Sequence, residues 1–285
     1  MKKKILSTIL AISMVAALTA CGSKAEAPAA GSSDIKTVTP GTLTVATSPD
    51  FAPYEFYSIG ADGKPSLAGF DMALAQYIAD DMGLKLEVIP MDFDGVLMEL
   101  SNKSVDLGMA GLSPDPEREK AMAFSDIYYE GGQSFVTTKA NADKYKSMAD
   151  ANKAGVSVGA QIGSIQEKLA QENTPDSDLV SLPKVTDIIS ELIGGKMECA
   201  FIETAVAESY QKNYPDLVIV CDVPYDVEGS AIGVAKGNDA LLAAVNAAVA
   251  KAKADGSIDK FVAEANEIAA GEKYEGLLDE NGNVQ

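Results

Sequence analysis

From Thr42 onward the apolar positions switch repeatedly between a period of two and helical spacing. Leu43-Thr-Val-Ala46 is strand-like. Phe70, Ala73, Leu74, Tyr77, Ile78 and Met82 recur on one helical face until Gly83 ends the run. Leu84 to Ile89 alternates as a strand, Val96 to Leu100 predicts a short helix, and Val105 to Ala110 predicts another strand. This βαβαβ order predicts a parallel sheet with right-handed crossovers, whose ligands sit beyond the carboxyl ends of its strands.

A strand over Gln133–Thr138 precedes a restart of the pattern. Val156 to Ala160 (strand) leads to a helix from Gly163, and Leu179 to Leu182 (strand) leads to a helix carrying Val185, Ile188, Ile189, Leu192 and Ile193 on one face. Cys199 to Ile202 and Leu217 to Val220 are strands around a helix from Thr204 to Tyr214. Ser230 to Ala235 returns to strand, and helices follow near 239–254 and 257–269. With crossings near 131–134 and 223–229, the pattern predicts two Rossmann-like α/β lobes joined by a two-strand hinge. Residues 41–131 plus 229–285 make lobe 1 and 132–228 make lobe 2.

The first forty residues do not share this pattern. Lys2, Lys3 and Lys4 precede an apolar run from Ile5 to Leu18, too short for a spanning helix, which reads as a signal peptide over 1–20. Leu18-Thr-Ala-Cys21 looks like a lipobox, which implies cleavage before Cys21 and lipid on that residue. Residues 21–40, rich in Ala, Ser, Gly and Pro, read as a flexible tether. Location follows: extracytoplasmic, held by lipid to the outer face of the cell membrane, or in the periplasmic space of a Gram-negative cell.

A formal net charge of −19 argues against nucleic acid and against broad adhesion to anionic lipid. Histidine is absent, which removes His-based acid/base catalysis and His metal sites; no metal or cofactor is expected. Cys199 and Cys221 fall in apolar strand-like runs and read as buried thiols, with a disulfide between them left open by the sequence.

The candidate chemistry centres on Met109-Ala-Gly-Leu-Ser-Pro-Asp-Pro-Glu-Arg118, which follows a strand and is predicted to enter a helix with Asp115 as N-cap and Pro116 in the first turn. Arg118 there opposes the macrodipole, so another gain is expected. A guanidinium at such a mouth can grip a carboxylate through two parallel hydrogen bonds. Gly111 allows close backbone approach and Ser113 adds a hydroxyl. The plainer alternative is a pair with Glu119, Asp115 or another surface acid. Gly163-Ser164-Ile165 opens a helix and turns N–H groups outward toward an anion, or is simply capped by Ser164. Glu203 ends a buried strand, where it can meet an ammonium or cap the next helix. Phe51 and Phe93 are placed in loops after strands, to cover a ligand or to pack locally. Together these groups describe a free α-amino acid.

At this point the chain resembles the polar amino-acid-binding proteins of bacterial ABC importers, with the type II periplasmic binding-protein fold. The carriers are Thr47-Ser-Pro-Asp-Phe-Ala-Pro-Tyr-Glu55, Leu67-Ala-Gly-Phe-Asp71, Val105-Asp-Leu-Gly-Met-Ala-Gly111, Pro116-Glu-Arg118, Phe124-Ser-Asp-Ile-Tyr128 and Gly163-Ser164. The resemblance implies that Arg118 holds the ligand carboxylate with the Ser113 and Ile165 amides, and that the Gly111 carbonyl, the Ser113 hydroxyl and Glu203 take the ammonium. It implies Phe51 and Phe93 as aromatic walls, Ser164 beside them, Asp71 as structural support and Gln133 at the crossing. The family more often has Asp at Glu203 and Thr at Ser164. A polar or cationic amino acid, ABC permease and ATPase subunits, and a monomer without catalytic activity complete the expectation. The rivals are a cyclohexadienyl-dehydratase-like enzyme on the same fold and a ligand-sensing lipoprotein without a transporter.

Overall fold

The computed structural model describes residues 35–60, 63–226 and 229–270. The predicted signal peptide, Cys21 and most of the tether lie outside the described residues. The chain opens with β1 (Thr42–Thr47), β2 (Asp50–Phe51), β3 (Glu55–Ile59) and β4 (Pro65–Ala68), then α1 (Phe70–Met82), β5 (Lys85–Pro90), α2 (Phe93–Asn102), β6 (Leu107–Gly108) and β7 (Met122–Phe124). After the first crossing come β8 (Gln133–Thr138), α3 (Met148–Ala151), β9 (Ser157–Gln161), α4 (Ile165–Asn173), β10 (Asp178–Leu182), α5 (Val185–Ile193), β11 (Cys199–Glu203), α6 (Thr204–Asn213) and β12 (Leu217–Asp222). β13 (Gly233–Ala235), α7 (Asp239–Ala254) and α8 (Ser257–Ala269) follow the return. Among the described residues no helix is long and apolar enough to cross a membrane.

Two five-stranded sheets result, ordered β5-β1-β6-β13-β7 and β10-β9-β11-β8-β12. In each, four strands run in one direction and one runs against them: β13 is antiparallel to β6 and β7, and β8 is antiparallel to β11 and β12. Leu43, Thr44, Val45, Ala46 and Thr47 of β1 are all buried, as expected for a sheet covered on both faces. α1 packs against α7 and α8, which places the last two helices on the first sheet. The crossings lie side by side: Tyr128 N–H donates to the Ser230 carbonyl at 2.9 Å, and Ser230 N–H to the Tyr129 carbonyl at 2.8 Å. This is the two-strand hinge, and the α/β fold class stands as expected.

Three local expectations change. The helix predicted from Asp115 is a single 3₁₀ turn over Arg118–Lys120. Its extension is cut off because Met122–Phe124 must pair with β13 two residues later. Phe51 lies in β2 and Phe93 is the first residue of α2, so neither is in a loop. A three-stranded sheet, β2-β3-β4, fills the stretch between β1 and α1, where the hydrophobic pattern predicts no element. Cys199 is buried and Cys221 half-buried, and both are free thiols.

Candidate functional site

The carboxyl ends of β1 and β6 point their loops toward those of β9 and β11. One narrow, closely packed cleft there, with a cavity of only about 10 Å³, is lined by Phe51, Phe93, Gly111, Ser113, Arg118 and Ile165 of the predicted set. Ala110, Gln161 and Gln166 also line it. Ser164 and Glu203 are not among the lining residues. The two glutamines were missed, although Gln161 ends β9, where the open-sheet rule looks for ligand contacts.

Arg118 spans the cleft. One guanidinium nitrogen donates to the Ser113 carbonyl at 2.9 Å, and the other to the Gly163 carbonyl across the interface at 3.0 Å. Its Cζ lies 5.5 Å from the centre of the Phe93 ring, within cation–π range. The plainer alternative is not realised: Asp115 pairs with Lys168 at 3.2 Å, Glu117 pairs with Lys120, and no carboxylate pairs with Arg118 among the described residues. Burial lowers its pKa to about 10, against the pull of Asp115, so it stays cationic at neutral pH. Among the described residues the N–H groups of Ser113 and Ile165 donate to no protein acceptor. The cleft therefore concentrates donors around a cation that no carboxylate pairs with directly among the described residues.

Gly111 has φ +56, and a Cβ there would come within 2.7 Å of the Phe51 ring. Only glycine lets this backbone lie flat under the aromatic. Asp71 stands behind it, accepting from the Gly111 N–H at 3.2 Å and from the Tyr128 hydroxyl. Ser164 caps α4: its Oγ accepts from Glu167 N–H at 3.2 Å and donates to the Gln161 carbonyl at 2.7 Å. The hydroxyl is therefore occupied in capping, while the Ile165 N–H has no protein acceptor among the described residues.

Glu203 caps α6 through Val206 N–H at 2.9 Å and accepts from the Tyr54 hydroxyl at 3.1 Å. The capping reading is the one this geometry displays: the Gly132 and Ala205 N–H groups also bond the carboxyl, which lies behind the cleft wall. Burial raises its pKa to about 7, with the hydrogen bonds acting the other way. Asp50 joins the sheets too. It accepts from Ser48 Oγ at 2.8 Å, from Gln161 Nε2 at 3.3 Å and from the N–H of Val185 at the start of α5. Burial raises the pKa of Asp50 and of Asp71 to about 6.

These raised values fix a pH dependence. Asp50, Asp71 and Glu203 bind protons more tightly folded than unfolded, so their contribution to stability is complete below about pH 4 and is lost as pH rises through 6 to 7. Self-repulsion in so acidic a chain acts in the same direction. The thermal midpoint is expected to be several degrees higher at about pH 5 than at about pH 7.5. Calorimetric melts across that range check it, and Asp71→Asn should flatten the slope.

Comparison with known proteins agrees with this architecture. The arginine-binding extracellular protein ArtP of Bacillus subtilis is 32% identical over 263 residues, spanning 91% of this chain and 96% of that protein. A solved structure of the amino acid ABC transporter substrate-binding protein AbpA from Streptococcus pneumoniae bound to L-arginine superposes with TM-score 0.77 at 36% identity, covering 82% of this chain and 97% of that one. Cyclohexadienyl dehydratase of Pseudomonas aeruginosa is 25% identical over 180 residues, 63% of this chain and 66% of that enzyme. Residues 43–265 match one family throughout, and the chain belongs to it: the bacterial extracellular solute-binding proteins, family 3.

Proposed function

We propose that this chain captures a free α-amino acid between lobe 1 (41–131 plus 229–285) and lobe 2 (132–228) and hands it to the permease and ATPase subunits of an ABC importer. The observation that carries the reading is Arg118, a cation with no carboxylate partner among the described residues, beside two unused N–H groups and two aromatic walls. A ligand carboxylate meets Arg118, Ser113 N–H and Ile165 N–H. Its ammonium meets the Gly111 carbonyl, the Ser113 hydroxyl and Glu203, and its side chain lies between Phe51 and Phe93, with Ser164 holding the turn. Docking on lobe 1 precedes closure, which is favoured because the second lobe completes both charged ends. A cationic side chain, arginine foremost, suits the two aromatic rings, and Asp50 is bonded to Gln161 of the cleft wall. The names of ArtP and AbpA support it. The protein works as a monomer, lipid-anchored at Cys21 on the outer face of the membrane, without catalysis.

A thermal-shift panel of the twenty amino acids and several cyclic acids tests this reading. A ligand at a hundred times its Kd adds about 2.7 kcal/mol of stability. Arginine is expected to give the largest shift, with lysine or a polar amide next, and no shift from any amino acid overturns the proposal. The second reading is dehydration of a cyclic dienyl acid, favoured by the burial of Glu203 with its carboxyl near 7 and by the dehydratase relative. Turnover of a prephenate-type acid, lost in Glu203→Gln, would install it.

A further inference from the structure

Tyr54 sits in the turn between β2 and β3, fully buried. Its ring is packed by Phe70 at 4.3 Å, Phe51 at 5.4 Å and Tyr129 at 5.6 Å between centroids. One ring edge backs Gly111, where a Cβ would lie 3.4 Å from Tyr54 Cδ1. The hydroxyl leaves this apolar cage and reaches the other sheet, donating to Glu203 Oε1 at 3.1 Å and accepting from Ser230 Oγ at 3.1 Å. The first crossing passes directly over the pair: a Cβ on Gly131 would lie 2.7 Å from Glu203 Oε1 and 3.0 Å from the Tyr54 hydroxyl. Tyr54 thus touches a cleft residue on one sheet, an acid on the other and both strands of the hinge.

We infer that Tyr54 is a positioning residue: its hydroxyl fixes the Glu203 carboxyl while its ring backs Gly111, so that one side chain sets the two ammonium partners relative to each other. The inference rests on the amino-acid reading above and names how that site is assembled. The two partners belong to different sheets, and a flexible linkage between them would leave their spacing to chance. A caged phenol does not. The groups facing Glu203 are Tyr54, whose hydroxyl is itself bonded by Ser230, Tyr129, and the backbone N–H groups of Gly132, Ala205 and Val206; among the described residues no lysine or arginine pairs with it. A phenol donating to a carboxylate favours its charged form, so removing that donor shifts Glu203 toward the neutral acid.

Tyr54→Phe keeps the ring and removes the hydroxyl. Two readouts on the full chain separate the possible failures. The titration of Glu203 without ligand, followed by carboxyl ¹³C NMR, is expected to move to higher pH in Tyr54→Phe; an unmoved midpoint overturns the positioning role whether or not any amino acid binds. Arginine titrated calorimetrically between about pH 6 and pH 9 is expected to bind Tyr54→Phe about tenfold more weakly, with the loss of affinity on acidification beginning at higher pH. Wild-type affinity and an unchanged pH profile in Tyr54→Phe overturn the inference. In a Glu203→Gln background the same substitution should no longer move the profile, and a persistent shift places the effect elsewhere and also overturns it. Wild-type protein that binds no amino acid overturns the functional reading and with it the role assigned to this pair.

Discussion

Arg118→Ala is expected to weaken amino-acid binding by about two to four orders of magnitude while leaving the free protein nearly as stable as wild type. The two halves of this result have separate causes. In the free protein the guanidinium's gains are two hydrogen bonds to carbonyls and its approach to Phe93, set against the cost of desolvating a cation that has no anionic partner. Those terms largely cancel. In the complex the ligand carboxylate is the missing partner, and stranding it in the cleft costs about 3–5 kcal/mol. Arg118→Lys should fall between, because it restores the charge without the two-pronged donor. Calorimetric titration of arginine into the three proteins measures this, and binding by Arg118→Ala within threefold of wild type would place the carboxylate elsewhere.

Glu203→Ala should produce the second largest loss, about a hundredfold in affinity, through the other end of the ligand. Here the free protein is affected as well. The substitution removes the cap of α6 and the acceptor of Tyr54, and losing a cap alone costs about 1 kcal/mol. A lower thermal midpoint therefore cannot by itself reveal the binding role. The discriminating ligand is the analogue of arginine that lacks the α-amino group. It should bind wild type and Glu203→Ala with equal affinity, because neither complex contains an ammonium for the acid to meet. Unequal affinities would mean that Glu203 contributes through the shape of the lobe alone. Glu203→Asp, which can still cap the helix, should keep most of the stability and part of the affinity.

The elements legible in the sequence are those whose own periodicity sufficed. β8 spans the residues expected of it, and α7 and α8 occupy the predicted 239–254 and 257–269, because long apolar repeats and the Asp255-Gly256 break mark them locally. The turn at Arg118 was misread for the opposite reason. Asp115 and Pro116 are good helix-start residues, yet the outcome was decided by β13, a distant segment that claims Met122–Phe124 as a neighbour. The β2-β3-β4 sheet escaped because strands of two to five residues carry too little alternation to register. At the site, residues with conspicuous chemistry or an unusual setting, such as Arg118 and Gly111, could be picked out. Gln161 and Tyr54 could not. A glutamine at a strand end and a tyrosine in a turn acquire meaning only from groups more than a hundred residues away, Asp50 and Glu203, which the fold brings to them.

The sheet order also bears on how the chain is made. Every strand of the second sheet lies between Gln133 and Asp222, so that sheet can form once this stretch alone is available. The first sheet cannot close early: its fourth strand, β13, pairs Gly233 with Gly108 and inserts between β6 and β7, which are made long before it. Until residue 233 emerges, β6 and β7 have an unfilled slot between them, a sticky pair of edges. The long loop closure that fills the slot makes the earlier-synthesised sheet the later one to mature. A partly emerged chain of this protein is thus most exposed to aggregation while its second half is still to come and its first half is open.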